Sequence, residues 1–390
     1  MTTPLVFIIA GEPSGDMLGA RLMAGLKAET GGRIRFAGVG GEAMAAEGLD
    51  SLFDMGDLAV MGFLEVLPRI PRILRRERET VAEIRRLRPD ALVTIDSWGF
   101  TGRINRAIRK GGPRTPQIHY VAPMVWAWRE QRAARMAPVL DHLMTLLPFE
   151  PPYFEAVGLP TTHVGHPVIE SGAERGRGAS FRERNGIPET APLLCLLPGS
   201  RRGEIARLLP RFEKAVSLLA ARHPSLELVA PTVATVADRV AAATSRWAVP
   251  VRVVRGQEDK YDAFAAADVA LAASGTVALE LAMAGTPAVV TYRLSALTVW
   301  MFRRMTRIRY VNLVNHMLDR LVVPELLQEN CRAELLAEEV ARLLDDPTAR
   351  EEQRIGLREA MVALGLGGPS PSTRAARVVL SVMEQLKGTT

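Results

Sequence analysis

Ser274-Gly-Thr-Val-Ala-Leu-Glu280 stands between two short apolar runs, Val269-Ala-Leu-Ala-Ala273 before it and Ala288-Val-Val-Thr291 after it. Runs of this length and composition are typical of strands that are buried on both faces of a parallel sheet. The stretch therefore predicts a strand, a tight turn, a helix and a second strand. Ser274 and Gly275 fall at the turn, where free N–H groups and the helix dipole favour an anion such as phosphate.

Glu280 lies four residues after Thr276, so the two side chains share one face of the predicted helix. A carboxylate this close to a phosphate site repels phosphate, and its expected partner is a pair of neutral hydroxyls such as those of a ribose. A second interpretation stays open on this stretch alone. It is that of an ordinary strand–helix–strand unit with a solvated glutamate, because short motifs also match by chance.

A second turn of the same kind is Pro198-Gly-Ser-Arg201, which follows another apolar run. Gly199 permits close approach of the backbone, Ser200 supplies a hydroxyl, and Arg201 can make a charge-assisted contact. Glu204 follows within the predicted helix. Two such turns at the carboxyl ends of strands suit a nucleoside diphosphate, whereas one alone also fits a loop with surface arginines.

Short apolar runs alternate with helical segments along most of the chain, which predicts a doubly wound parallel sheet in each half. The first series begins at Leu5–Ala10 and the second at Leu193–Leu197. Small and charged residues without an apolar period separate the two, as in a linker. The predicted parts are a Rossmann-like domain at 1–168, a linker at 169–192, a second Rossmann-like domain at 193–350, and helices at 351–390 that can pack back on the first domain.

Composition narrows the classes of partner and compartment. The 390 residues carry a net charge of +6 with an isoelectric point near 9.7, which suits a nucleotide, a nucleic acid or an acidic lipid. Cys195 and Cys331 lack metal-ligand spacing and are typical of reduced thiols in a cytosolic protein. No basic signal-peptide region and no apolar run of ~18 residues occur, so a soluble or peripheral protein is expected.

Asp96 directly follows the apolar run Ala91–Ile95, so its carboxylate is expected at the carboxyl end of a buried strand. A general base in that place can take a proton from a hydroxyl. The alternative for Asp96 is a helix cap. His119 lies inside an apolar strand and is expected to be a buried, hydrogen-bonded histidine. The chain contains no Asp-x-Asp pair, and no metal site is predicted.

Two basic amphipathic segments, at 61–76 and 297–310, place apolar side chains beside arginines. Segments of this kind lie in membrane interfaces or hold acyl chains, although helices that face an ordinary protein core show the same pattern. The residues predicted to contact lipid or membrane are Phe63, Leu64, Leu67, Arg69, Ile70, Arg72, Trp300 and Phe302.

Nine motifs occur in order along nearly the whole chain. They are Ala10-Gly-Glu-Pro-Ser-Gly-Asp-Met-Leu-Gly19, Gly38-Val-Gly-Gly-Glu42, Leu58-Ala-Val-Met-Gly-Phe-Leu-Glu-Val-Leu67, His119-Tyr-Val-Ala-Pro-Met-Val-Trp-Ala-Trp-Arg129, Leu147-Pro-Phe-Glu150, Val164-Gly-His-Pro167, Leu197-Pro-Gly-Ser-Arg201, Ser274-Gly-Thr-Val-Ala-Leu-Glu280 and Tyr310-Val-Asn-Leu-Val-Asn315. In this order they resemble the motifs of the lipid-A-disaccharide synthases, the lipid glycosyltransferases of outer-membrane biogenesis.

The resemblance implies a two-domain glycosyltransferase of the B type, whose Rossmann-like domains face a central cleft. The first domain would hold acceptor and lipid, and the second would hold the UDP-sugar. The implied reaction joins UDP-2,3-diacylglucosamine to 2,3-diacylglucosamine 1-phosphate with inversion, and it yields lipid A disaccharide 1-phosphate and UDP. No metal and no cofactor are implied, since the UDP-sugar is a substrate.

The resemblance also implies roles for single residues. Asp96 matches the aspartate that deprotonates the acceptor hydroxyl. Glu12 and Ser14, together with Gly15 and Asp16, match a turn that faces the substrates. The implied UDP site contains Gly199, Ser200, Arg201, Glu204, Ser274, Gly275, Thr276, Glu280, Asn315 and Gln328.

One departure from the family pattern follows Asp96. The family commonly continues with Pro-Asp-Phe-Asn, whereas this chain continues with Ser97-Trp-Gly-Phe-Thr101. A second acidic residue is thereby lost, and a role for it cannot be carried over. Pro13 in the first turn is a milder departure.

Two rival functions stay open on the sequence. A UDP-sugar epimerase of the same two-domain plan would bind UDP but would need no acylated acceptor. A basic protein that binds anionic lipid or RNA would explain the arginines, but it leaves the paired Gly-Ser turns unexplained and lacks aromatic platforms for RNA. The expected partners are acylated sugar lipids, UDP and the inner-leaflet membrane surface, without nucleic acid and with the oligomeric state open. The expected location is cytoplasmic, peripheral at the inner face of the inner membrane.

Overall fold

Two compact units make up the chain in a computed structural model that describes residues 3–58, 70–111, 115–127, 131–294 and 308–387. One unit contains Met1–Pro167 and Gly367–Thr390, and the other contains Val168–Leu366. Each unit is built on a six-stranded sheet in which the paired strands run parallel. The prediction of two doubly wound α/β halves is confirmed.

The first unit orders its strands β2-β1-β3-β4-β5-β6. The strands are β1 (Leu5–Ala10), β2 (Arg35–Val39), β3 (Ala91–Ile95), β4 (Gln117–Tyr120), β5 (His142–Thr145) and β6 (Thr161–His163). The described helices before the second unit are α1 (Pro13–Thr30), α2 (Glu42–Ala46), α3 (Ile70–Leu87), α4 (Trp98–Lys110), α5 (Gln131–Met136) and α6 (Pro151–Glu155).

Strand β1 shows why this sheet carries helices on both faces. Its six residues are all buried, and successive side chains point to opposite faces. Val6 and Ile8 belong to one apolar cluster, and Phe7 and Ile9 belong to another. The first cluster includes residues of α1, and the second includes residues of α3 and α4. An uninterrupted apolar strand thus serves two cores at once.

The second unit orders its strands β12-β11-β10-β7-β8-β9. The strands are β7 (Leu193–Leu197), β8 (Glu227–Thr232), β9 (Val251–Arg255), β10 (Val269–Ala273), β11 (Ala288–Tyr292) and β12 (Glu325–Leu327). The described helices that follow α6 are α7 (Gly178–Arg184), α8 (Arg202–Arg222), α9 (Ala234–Thr244), α10 (Gln257–Ala266), α11 (Val277–Ala284), α12 (Leu313–Leu318), α13 (Ala333–Asp345), α14 (Pro347–Ala363) and α15 (Pro371–Lys387). The strand, turn, helix and strand expected around Ser274 are β10, α11 and β11.

The predicted linker, 169–192, falls within the second unit, where α7 packs against α10. Asp262, which is 2% exposed, accepts hydrogen bonds from the Arg177 backbone and the Arg184 guanidinium. Phe181 and Ile187 of the segment are buried as well. Charged contacts and irregularly spaced apolar side chains together hold this segment, so its sequence shows no apolar period.

The predicted tail, 351–390, is divided between the two units. Helix α14 stays with the second unit because the amide of Gln353 exchanges hydrogen bonds with the backbone of Ala288 in β11. Helix α15 packs against α1 in the first unit, and Arg377 pairs there with Glu29. In the part of the chain that the structure describes, no helix combines the length and the apolar character needed to cross a membrane.

Candidate active site

The candidate site of the first unit lies where its strand order reverses, between β1 and β3. The register pairs Ala10 with Ile95, so the segments that leave these strands start side by side. In open α/β sheets such a switch point forms the crevice that receives ligands. Glu12 follows the first strand by two residues and Asp96 follows the second directly. The topology therefore brings together two acidic residues that lie 84 positions apart in sequence.

Asp96 is the neighbour that most strongly affects the Glu12 carboxyl. Hydrogen bonding to Asp96, partial burial and the negative charge of Asp96 raise the pKa of Glu12 to about 7. Ser14 acts in the opposite direction because its hydroxyl stabilises the Glu12 carboxylate. Near neutral pH Glu12 thus gains or loses a proton readily.

Asp96 and Ser97 hold an unusual backbone conformation. Their φ values are 49° and 45°, in the left-handed region that non-glycine residues rarely adopt. The Asp96 N–H donates to the Tyr120 carbonyl at 2.9 Å, and the Thr101 hydroxyl donates to the Asp96 carbonyl at 2.9 Å. Such strain persists where surrounding bonds fix it, and it is frequent at functional sites.

The Asp96 carboxylate is placed before α4 rather than at its cap position. Its Oδ1 accepts the Ser97 N–H at 2.7 Å, whereas the cap position itself is Ser97 and makes no side-chain capping bond. The interpretation of Asp96 as an ordinary helix cap therefore has little support from the geometry. The stretch 97–101, which differs from the family pattern, forms the start of α4.

A buried polar layer lies beneath Asp96. His119 is fully buried, which lowers its pKa to about 4, and its Nδ1 lies 2.8 Å from the Thr94 hydroxyl. The Asn105 amide also donates to Thr94, at 3.1 Å. Trp98 meets the imidazole edge to face, with ring centroids 4.8 Å apart. His119 is thus the buried, hydrogen-bonded histidine that its sequence context predicts.

Asp16, predicted from the sequence to face the substrates, makes several contacts within the unit. The residue is 5% exposed, and its carboxylate accepts N–H groups from Gly41, Ala43 and Met44 at 2.7 to 3.1 Å. These groups lie at the start of α2, where a carboxylate complements the helix dipole. Asp16 thus anchors α2. Ser14 is exposed, and Gly15 is buried.

The candidate site of the second unit also lies at a reversal of strand order, between β7 and β10. The register pairs Ala272 with Leu197, so the turn at Gly199 and the turn at Ser274 leave neighbouring strands at the same edge. The two phosphate-type turns predicted from the sequence therefore belong to one sheet edge. This is the position that the topology favours for a ligand.

The turn after β7, predicted to hold phosphate oxygens, has two of its N–H groups bound to Glu204. Glu204 Oε2 accepts the N–H groups of Ser200 and Arg201, each at 3.3 Å, while Oε1 meets the Arg201 guanidinium and the Tyr292 hydroxyl. A Cβ at Gly199, whose φ is 105°, would approach Glu204 Oε2 to 2.5 Å. Glu204 therefore closes this turn from within, and its contact with a ligand stays a prediction.

The groups that stay accessible at this turn are side chains. Ser200 is exposed, and the Arg201 side chain is 73% exposed although it also pairs with Glu204 at 3.2 Å. A diphosphate at this edge can therefore be met by a guanidinium and a hydroxyl rather than by the backbone.

The turn after β10 presents an open helix end. Ser274 donates its N–H to the Thr291 carbonyl at 2.8 Å, whereas Gly275 and Thr276 are exposed. Thr276 occupies the cap position of α11 without a side-chain capping bond, and a Cβ at Gly275 would meet no atom within 4 Å. The first N–H groups of a helix carry partial positive charge. This edge therefore keeps the anion-binding geometry that its sequence predicts.

Glu280, in the first turn of α11, is held by two neighbours. Its Oε1 accepts a hydrogen bond from Lys260 Nζ at 2.8 Å and another from the Tyr261 hydroxyl at 3.0 Å. Lys260 and Tyr261 lie on α10 and were not among the residues that the sequence singled out. A lysine some twenty residues before a glutamate carries no recognisable spacing, so only the fold shows the contact.

The Asn315 side-chain amide is fully engaged within the unit. Oδ1 accepts the N–H groups of Val322 and Val323, and Nδ2 donates to the Val323 carbonyl and to Glu325. These four bonds use the whole hydrogen-bonding capacity of a primary amide. Asn315 therefore shapes the segment before β12, and its contact with UDP stays a prediction.

The Gln328 side chain uses part of its hydrogen-bonding capacity within the unit. Its Oε1 accepts the Leu294 N–H at 3.1 Å, and its φ of 51° lies in the left-handed region. In the described residues no cluster of three or more His, Cys, Asp or Glu side chains could hold a metal ion.

Comparison with known proteins decides the family. A family model described as lipid-A-disaccharide synthetase matches residues 6–367. The chain belongs to the lipid-A-disaccharide synthase family. A lipid-A-disaccharide synthase from Paramagnetospirillum magneticum is 57% identical over 98% of this chain and 98% of that protein. Another from Rhodospirillum centenum is 55% identical over 97% and 94%. The chain is thus a glycosyltransferase of lipid A biosynthesis, and it makes lipid A disaccharide.

Solved structures of more distantly related proteins have the same fold as this chain. The UDP-GlcNAc 2-epimerase from Neisseria meningitidis, solved bound to UDP-GlcNAc, has a TM-score of 0.63 at 12% identity and covers 98% of this chain and 100% of its own. A glycosyltransferase from Rickettsia africae has a TM-score of 0.60 at 10% identity, with complete coverage of both chains. At these identities the likeness shows the B-type fold alone. The family match therefore separates the transferase from the epimerase of similar plan.

Most of the residues predicted to contact lipid or membrane lie outside the described part of the chain. They are Phe63, Leu64, Leu67, Arg69, Trp300 and Phe302. Ile70 and Arg72 are described at the start of α3. Ile70 is 39% exposed, and Arg72 is exposed and pairs with Asp57 at 3.2 Å. These two residues lie at the surface of the first unit.

A second carboxyl group with a raised pKa escaped the sequence analysis, although its motif was noted. Glu150 is 3% exposed, and burial raises its pKa to about 7. Its carboxylate accepts the Leu147 N–H at 3.0 Å and the Trp126 indole N–H at 3.3 Å. Within the Leu147-Pro-Phe-Glu150 motif, the backbone N–H of the first residue thus binds the buried carboxylate of the last.

Proposed function

We propose that this chain transfers a 2,3-diacylglucosamine unit from its UDP derivative to 2,3-diacylglucosamine 1-phosphate, with inversion at the transferred carbon. The products are lipid A disaccharide 1-phosphate and UDP. Membership of the synthase family supports the class of product. The observation that carries the chemistry is the Glu12–Asp96 pair at the switch point of the first unit, since an inverting transfer needs one base for the attacking hydroxyl.

In the proposed mechanism Asp96 accepts the proton of the acceptor hydroxyl as the oxygen attacks the sugar carbon. A new glycosidic bond forms while the bond to UDP breaks, and the electron pair leaves with UDP. Below pH 7 Glu12 holds a proton and donates it in a hydrogen bond to Asp96, which occupies the base. Above pH 7 Glu12 loses that proton, so the Asp96 oxygen that accepted it is free to take the proton of the acceptor hydroxyl.

The proposed UDP site is the edge formed by the turns after β7 and β10. The open end of α11 at Gly275 and Thr276 would receive phosphate oxygens, and the Arg201 guanidinium would stabilise charge on the leaving diphosphate. Glu280 would accept the ribose hydroxyls. Because guanidinium and helix dipole supply positive charge, we propose that the transfer needs neither a metal nor a cofactor.

We further propose that the enzyme works at the inner face of the inner membrane, without crossing it. Its acylated substrates reside in lipid, and its net charge of +6 favours an anionic surface. Exposed Ile70 and Arg72 are the described residues that would take part.

The test mixes the purified chain with both diacylglucosamine substrates in the presence of a chelator and follows UDP and lipids by mass spectrometry. We expect a tetra-acyl disaccharide phosphate and an equal amount of UDP. A transfer that stops on chelation would contradict the metal-free mechanism. Conversion of the UDP-sugar without the acceptor would instead indicate an epimerase.

A further inference from the structure

Within the described part of the chain, the hydrogen bonds of Glu280 fall on one of its two carboxylate oxygens. Lys260 Nζ and the Tyr261 hydroxyl both donate to Oε1, at 2.8 and 3.0 Å. Two donors use the lone pairs of that oxygen, and among these residues Oε2 keeps its own. The Glu280 side chain is 24% exposed, so the carboxylate is neither sealed in the core nor free in solvent. This arrangement fixes the carboxylate while one oxygen keeps its accepting capacity.

The direction of the Tyr261 hydrogen bond is set by a third residue. The Gln257 amide nitrogen, which can only donate, lies 3.3 Å from the Tyr261 hydroxyl. The hydroxyl oxygen therefore accepts from Gln257, and its single proton goes to Glu280. Burial and the charge of Glu280 raise the pKa of Tyr261 to about 12, which keeps the hydroxyl protonated as a donor.

Lys260 is held in place as well. Its ammonium lies 4.9 Å from the centroid of the Tyr261 ring and 5.9 Å from that of Phe264, and its side chain is 26% exposed. Cation–π contacts of this kind restrict a flexible lysine. The ammonium also offsets the charge of Glu280, which lies one helical turn from the open N-terminus of α11 at Thr276. A carboxylate can therefore stand beside a phosphate-binding helix end without repelling the phosphate.

We propose that Lys260 and Tyr261 are positioning residues that hold Glu280 through Oε1 and present Oε2 to the ribose hydroxyls of the bound nucleotide. The preference of the site for ribose then depends on two residues of α10 that do not touch the nucleotide. This inference rests on the proposed UDP site, and it specifies which oxygen of Glu280 reads the sugar and what aims that oxygen.

The test measures the affinities of the full chain for UDP and for 2′,3′-dideoxy-UDP by titration calorimetry. We expect the wild type to prefer UDP by about tenfold or more, as for hydrogen bonds to a charged acceptor. Glu280→Ala should bring the ratio of the two affinities close to one. Lys260→Met and Tyr261→Phe should each reduce the ratio at least threefold, because Glu280 then loses one of its anchors.

The ratio separates positioning from a general structural role. If either variant weakens both nucleotides equally, the ratio stays at the wild-type value and the proposal is overturned for that residue. In the Lys260→Met, Glu280→Ala double variant the ratio should equal that of Glu280→Ala alone. Lys214→Met and Tyr153→Phe, at exposed sites on α8 and α6, are matched controls that should keep the wild-type ratio.

The two proposals fail in different ways. A wild type that binds UDP and dideoxy-UDP equally well overturns the role of Lys260 and Tyr261 while the proposed function stands. A wild type that binds neither nucleotide overturns both. Thermal melting of each variant, compared with the wild type, shows whether a loss of binding comes from unfolding.

Discussion

The two switch points of this molecule have the same topology and opposite chemistry. In the first unit the reversal of strand order brings together two carboxyl groups, Glu12 and Asp96, and the pKa of Glu12 is raised to about 7. In the second unit it brings together an open helix end and the Arg201 guanidinium. The strands that lead to both edges are similarly buried and apolar. The few residues that follow each strand therefore decide whether the edge handles protons or anions.

The backbone differs between the edges for the same reason. The first edge uses non-glycine residues in the left-handed region, at Asp96 and Ser97, whereas the second uses Gly199. A glycine would adopt that conformation at Asp96 with less strain, but it would supply no carboxyl group. Strain is thus retained where a side chain is needed, and glycine is used where only the path of the backbone matters.

Of the substitutions described here, Asp96→Asn should lower the rate most. It tests directly whether the proton chemistry belongs to the first unit. Asparagine keeps the shape but cannot accept the hydroxyl proton, so kcat should fall on the order of 10³-fold. UDP affinity should stay within twofold of wild type, because the nucleotide edge lies in the other unit. Steady-state rates and calorimetry measure the two quantities. Loss of UDP binding in a folded variant would contradict the division of roles.

Glu150 differs from Glu12 because its raised pKa arises from burial rather than from a second carboxyl. Since its folded pKa of about 7 exceeds the unfolded value of 4.5, the folded state binds more protons between these pH values, and stability falls as pH rises through them. The difference amounts to roughly 3 kcal/mol. Glu150→Gln should therefore flatten the fall in melting temperature between pH 5 and pH 8. An unchanged slope would show that Glu150 is not its source.

Arg201→Met tests the anion-binding edge. Removing the guanidinium should weaken UDP binding about tenfold, as expected for one charge-assisted contact. The pH dependence of the rate should keep its shape, since the proton chemistry belongs to the first unit. Arg202→Met, at the exposed neighbouring position, is the matched control and should bind UDP as the wild type does. Equal losses in both variants would point to general charge rather than to a specific contact.

Glu12→Gln should give the smallest effect, seen mainly in the pH profile. In the wild type kcat/KM should rise severalfold from pH 6 to pH 8, because Glu12 loses the proton that occupies Asp96. Glutamine cannot titrate, so the inflection near pH 7 should disappear. A variant that keeps this inflection would assign it to another group, and the Glu12 proton would then have no kinetic role.

The sequence predicted the architecture well, because buried parallel strands and the glycine turns after them leave strong patterns. The hydrogen-bond partners of individual side chains were harder to predict. Asp16, Glu204 and Asn315 are polar residues inside motifs, and only the fold shows that neighbouring N–H groups engage their side chains. A motif identifies a residue type at a position, whereas hydrogen-bond partners depend on segments far away in the chain.

Features that the sequence did not show depend on contacts between distant segments. Lys260 and Tyr261 reach Glu280 from a different helix, so no residue spacing indicates the contact. In the segment 169–192 part of the stabilisation comes from ion pairs around Asp262, and charge pairs do not produce the periodicity by which packed elements are recognised. Contacts through charge and hydrogen bonds were therefore the least predictable part of this protein.

The return of α15 to the first unit bears on how the protein folds during its synthesis. The second unit is continuous, from Val168 to Leu366, and all of it leaves the ribosome before α15 does. The core of the first unit contains Ala376 and Val379 of α15 packed with α1, and α15 ends at Lys387. The half of the molecule that is translated first therefore completes its core last, after its neighbour has emerged.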